Sequence, residues 1–100
     1  MKSLIKKQNC YRITVEEITA EEVNNPKVLQ FELEDREDMF ALVDILKARS
    51  ELDEQSATRV AIALRLLGPV MMQCRKLPLF VDFMPHFKNF MINLKKAMKK

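Results

Sequence analysis

A chain of 100 residues that is 48% hydrophobic and 31% charged has the make-up of one small globular domain and leaves no room for a separate second core. Its two cysteines, Cys10 and Cys74, form no Cys-x-x-Cys pair, which excludes a disulfide-dense secreted scaffold and points to reduced thiols in the cytoplasm. The net charge of +3 hides a segregation: residues 16–54 carry 13 acids and 4 bases, residues 55–100 carry 9 bases and 1 acid, and residues 1–15 add 4 bases and no acid.

The opening stretch MKSLIKKQNC has lysines but no apolar run of the length a signal peptide needs, so export is not expected and residues 1–9 read as an extended or disordered leader to a single domain over 10–100. From Cys10 to Ile18 the residues alternate. Tyr11, Ile13 and Val15 take one side and Arg12, Thr14 and Glu16 the other, the period of a half-buried strand. Leu29, Phe31 and Leu33 repeat the pattern against Gln30, Glu32 and Glu34. TAEEVNNP lies between them, so a hairpin with a loop of about eight residues is the simplest connection. A two-stranded sheet alone is marginal in water, and helices are expected to cover its apolar face.

Asp35 is placed to cap the first helix, with Glu37 and Asp38 in its opening turn and Met39, Leu42, Val43 and Leu46 at helical spacing. That helix should end near KARSELD, where Asp53 and Glu54 open the next. The second helix runs into RVAIALRLLGPVMMQCRK, the most apolar stretch of the chain. About a dozen apolar residues interrupted by Arg65 fall short of the roughly 20 that a membrane span needs. Val60, Leu64, Leu67, Met71 and Cys74 form one stripe and Ile62, Leu66 and Val70 another, which predicts a central helix buried on more than one side. Pro69 cannot donate to the carbonyl of Arg65, so a kink or restart is expected at Gly68-Pro69. Leu79, Phe80 and Phe83 suggest a short helical turn. Pro85 then opens a last helix whose stripe is Phe87, Phe90, Met91, Leu94 and Met98. The predicted class is α+β, an N-terminal antiparallel hairpin followed by three or four packed helices.

Chemistry-bearing residues are sparse. His86 is the only histidine, and its position in the first turn of the last helix fits a surface or packing role better than catalysis. Cys74 lies on an apolar stripe and reads as a small buried hydrophobe, and Cys10 stands at a strand edge with too few neighbouring ligands for a metal. No calcium-loop spacing or Gly-rich phosphate cradle occurs, so no catalytic residue, cofactor, metal or small-molecule substrate is expected. Met72 and Met84 fall off the main stripes and, with Ile62 and Leu66, make a candidate surface for a second copy or another protein. Lys88, Lys95, Lys96 and Lys99, with Lys100 beside them, form a candidate anion-binding stripe, although lysines near a helix C-terminus also suit the dipole. Self-association is the leading expectation and nucleic acid or another polyanion the alternative. The acidic middle and the basic end could also meet, within one chain or between two copies.

In this order, YRITVEEI, LQFELEDREDMFALVDIL, SATRVAIALRLLGPVM and RKLPLFVDFMPHFKNFMINLKK resemble a bacterial family of small proteins, the domain of unknown function 3861 family. The resemblance covers about Tyr11 to Lys96. Its most specific parts are Leu66-Leu67-Gly68 and the Arg-Lys-x-Pro-Leu-Phe of Arg75 to Phe80. It implies a small bacterial cytoplasmic protein without an assigned activity and carries over no functional residues. Pro69 stands where an ordinary helix former is expected after the glycine.

Overall fold

The structure, a computed structural model, describes residues 8–18 and 25–99. Of the expected leader over 1–9, residues 1–7 lie outside the described residues, as do most of the TAEEVNNP loop and Lys100, while Asn9 opens the first strand. The element order is β1 (Asn9–Glu16), β2 (Val28–Asp35), α1 (Met39–Arg49), α2 (Glu54–Gln73), α3 (Pro78–Val81) and α4 (Met84–Met98). The protein is therefore α+β, a two-stranded antiparallel hairpin followed by four helices. It divides into two compact units between Glu37 and Asp38.

In the hairpin unit, Tyr11 faces Leu33, Ile13 faces Phe31 and Val15 faces Leu29, which puts the apolar residues of both strands on one side of the ribbon. Tyr11, Ile13 and Leu33 are half-buried, but Val15, Leu29 and Phe31 are exposed. On the other side Arg12 donates to Glu32 through Nε at 3.1 Å and Nη2 at 2.7 Å. Both side chains of that pair are more than 60% exposed, so it contributes at most about 1 kcal/mol and does not hold the hairpin together. Asp35 is not the cap of α1. It ends β2, is buried, and its carboxylate accepts from the backbone N–H of Glu37 in a tight turn. The cap is Asp38, whose side chain accepts from Ala41 N at 3.1 Å, because the chain needs the intervening residues to leave the strand before it can coil.

In the helical unit, α1 ends at the C-cap Ser50, whose hydroxyl donates to Leu46 O at 2.6 Å. Glu51 turns the chain with a positive φ of 71°, and Asp53 caps α2. The core is built on α2, but of the stripe of large residues that periodicity favours only Met71 is fully buried, with Val60 and Leu64 packed beside the core. Ala57, Ala61, Gly68 and Met71 are the buried residues of α2, while Leu67 and Val70 are nearly half exposed. Small side chains at Ala57, Ala61 and Gly68 let neighbouring helices approach closely, and the larger Val60 and Leu64 pack at the flanks. Leu46 of α1 and Leu94 of α4 meet Ala57 and Ala61 in one cluster, and Met71, Met84 and Phe87 form a second. On α4 the inward line is Phe87 and Leu94, both buried, with Met91 and Met98 half-buried beside them. Phe90, expected on it, sits at its edge and is exposed. Arg49 ties the far ends of α1 and α4 together by donating from Nη1 to Met98 O at 2.8 Å. Among the described residues no helix is long and apolar enough to cross a membrane.

The helix α2 does not restart at Gly68-Pro69; it runs unbroken from Glu54 to Gln73 with Pro69 inside. Two features make this tolerable. A residue before proline is normally pushed out of helical geometry by contact of its Cβ and N–H with the proline ring, and Gly68 has no Cβ. Pro69 itself is exposed, so its ring crowds no packed side chain. The missing hydrogen bond is still a defect. Pro69→Ala should therefore stabilise the protein by about 1–3 kcal/mol in urea unfolding. A Cβ at Gly68 would meet Phe87 Cζ at 3.8 Å, an ordinary contact. Gly68→Ala should thus add about 0.5–1 kcal/mol once Pro69 is gone, and less or nothing while the proline remains. Ala61→Leu should cost about 1–3 kcal/mol by overpacking the helix contact.

The Asp53 carboxyl is held below its ordinary value of 3.8, first by the Ser56 side chain and then by the Ser56 backbone N–H. A value lower in the folded than in the unfolded chain stabilises the fold above pH 3.8, and that contribution is lost as pH falls through the folded value. Asp53→Ala should lower the melting temperature at neutral pH, and the difference from the parent should shrink in melts taken below about pH 3.8.

Candidate functional site

Where α2 ends, the chain makes a compact corner. Cys74 closes the helix by donating its N–H to Val70 O, and Leu77 N donates back to Cys74 O at 3.0 Å. Leu77 adopts extended backbone and Pro78 starts the single turn of α3 with its fixed φ. Phe83 N donates to Phe80 O at 3.0 Å and Phe87 N to Phe83 O at 2.9 Å, which carries the chain straight into α4. The rings of Phe83 and Phe87 lie tilted with centroids 6.1 Å apart, fixing the entry to that helix.

This corner encloses an open groove of about 500 Å³. Met72, Val81 and Pro85 form its walls and Met84 its floor, where Met84 is 8% exposed and packs with Met71 and Phe87. Arg75, Lys76 and Lys88 stand round it, all three exposed. Among the described residues no carboxylate lines the groove. Arg75 and Lys76 follow the last turn of α2, where cations suit the negative end of the dipole. Lys88 comes from the second turn of α4, where the dipole gives it no such support. Three like charges round one apolar surface repel one another, an arrangement that an anionic ligand would relieve.

Of the residues that the sequence singles out, the groove unites Met72 and Met84 with Lys88. Ile62 and Leu66 are half-buried on earlier turns of α2 and do not line it. Lys95, Lys96 and Lys99 are exposed at the far end of α4, and the carbonyls of Lys95 and Lys96 accept from Lys99 N. His86 is exposed and does not line the groove. Cys74 is half-buried at the C-cap rather than fully in the core, and Cys10 is exposed. Among the described residues no group of three or more His, Cys, Asp or Glu side chains is placed to hold a metal. Arg75, Lys76, Val81 and Pro85 are the groove residues that the periodicity search passes over. Their signal is a pair of cations directly after an apolar helix and before a proline.

A family profile described as a domain of unknown function with a solved structure (DUF3861) matches residues 9–96. The chain belongs to the domain of unknown function 3861 family. The structure is similar to a crystal structure of a protein of unknown function from Pectobacterium atrosepticum, with a TM-score of 0.77 and 37% sequence identity over 90% of this chain and 99% of that one. No functionally curated protein matches the chain.

Proposed function

We propose that this member of the domain of unknown function 3861 family is a non-enzymatic cytoplasmic module that works by protein contact, most simply with a second copy of itself. One observation carries the reading. Between Leu67 and Phe83, a stretch of α2, α3 and the corner, seven large apolar side chains are more than 40% exposed, up to 77% at Leu79. Isolated exposed hydrophobics are ordinary on any surface, but so many in one short stretch leave apolar area for a partner to cover. At about 25 cal/mol per Å² of apolar area removed from water, a few such side chains supply much of the drive for association.

A second reading, binding of nucleic acid or another polyanion through Lys88, Lys95, Lys96 and Lys99, is favoured by the exposure of all four, three on α4 and Lys99 at its C-cap. It requires affinity for a duplex oligonucleotide that falls steeply with salt. Binding that is absent, or indifferent to salt, removes it.

Light scattering coupled to gel filtration tests the first reading. The mass should rise from one chain to two as the protein is concentrated from about 1 µM to about 500 µM, the range in which modest interfaces assemble. Leu79→Glu should shift that rise to higher concentration while leaving the helical circular dichroism unchanged. A strict monomer over the whole range would contradict self-association.

A further inference from the structure

The corner groove is apolar inside and cationic round its rim, so its complement is an apolar side chain flanked by carboxylates. The same chain carries such a segment. Ile18 is 85% exposed, the most exposed large apolar side chain among the described residues, and it follows Glu16 and Glu17. In sequence, Glu21 and Glu22 come next after Thr19 and Ala20. Glu17 is engaged at home, where its Oε1 accepts from Lys27 N at 3.1 Å.

We infer that the groove formed by Met72, Met84, Arg75, Lys76 and Lys88 takes the acidic Glu16–Glu22 segment of a second copy, with Ile18 as its apolar anchor. The inference rests on the self-association reading above and names the surface that would perform it. Charge complementarity selects this occupant. Residues 16–54 carry 13 acids against 4 bases, while residues 55–100 carry 9 bases against 1 acid, so two copies can meet with opposite signs facing. Each copy owns both a groove and an acidic segment, and a two-fold pair therefore makes the contact twice. Apolar contact at Ile18 supplies affinity, whereas the carboxylates fix which segment is chosen and speed the encounter.

A charge swap tests this directly. The groove variant Lys76→Glu with Lys88→Glu and the segment variant Glu16→Lys, Glu21→Lys and Glu22→Lys are each followed by analytical ultracentrifugation. Each alone should self-associate at least about tenfold more weakly than the parent, because like charges now face each other in both contacts. Mixed in equal amounts they should pair about as well as the parent, since acidic grooves meet basic segments and basic grooves meet acidic ones. Parent association should itself weaken about tenfold between low salt and roughly 0.5 M salt. If either set disturbs the circular dichroism, the milder Lys76→Gln with Lys88→Gln and Glu21→Gln with Glu22→Gln replace them, each expected to weaken association about threefold. Association that neither set of variants changes, or charge-reversed variants that weaken it without mutual rescue, would overturn the groove assignment and leave self-association standing. A parent that never associates overturns both.

Discussion

The helical unit depends on how closely helices can approach the inner side of α2. Ala57 and Ala61 are fully buried there and meet Leu46 from α1 and Leu94 from α4. A methyl group at each position leaves space that the two leucines fill from opposite helices, and neither leucine has water to return to. Further along the same side, Gly68 stands 3.8 Å from Phe87 measured from an added Cβ, so α4 also approaches where α2 carries almost no side chain. Large residues in this line would push the helices apart and uncover both apolar clusters.

That constraint also places the groove. Met71 is buried beside Met84 and Phe87, which anchors the start of α4 against the end of α2. The residues between must reverse direction in a few positions, and Pro78 and Pro85 preset the backbone at the two helix starts. Side chains one step outward from the buried ones, Met72 and Val81, are left at the surface with Arg75, Lys76 and Lys88 round them. The groove is thus a by-product of core packing in its position, while its uniform charge has no role in the core. Charges of one sign round apolar surface cost the free protein something, a cost that an acidic partner would offset.

Much of this architecture was legible in the amino-acid order. Alternation placed Tyr11, Ile13, Leu33 and Phe31 on one side of a hairpin, and the register bears that out pair by pair. Asp53 before Glu54, and Pro85 before Phe87, announced two helix starts that stand where expected. On the inner side of α2 periodicity finds Met71 but not Ala57, Ala61 and Gly68, because it weighs residues by size and hydrophobicity and these three score low on both. What buries them is the proximity of other helices, which a one-dimensional pattern does not contain. Asp35 misled as a cap for a related reason: its carboxylate serves a turn two residues on, leaving the helix to Asp38. Of the kink or restart expected at Gly68-Pro69, the restart does not occur, because a preceding glycine relieves the contact with the proline ring. For the groove, Met72, Met84 and Lys88 could be singled out one at a time, but only the corner at Cys74 to Pro78 shows that they share a surface.

Native-state amide hydrogen exchange measures the central claim most directly, since protection reports the free energy needed to open each hydrogen bond. If α2 is wrapped on its small-residue side by α1 and α4, the amides from Ala61 to Leu67 should be the slowest in the helical unit and should open only with global unfolding. Exchange there as fast as at the exposed final turn of α4 would contradict it.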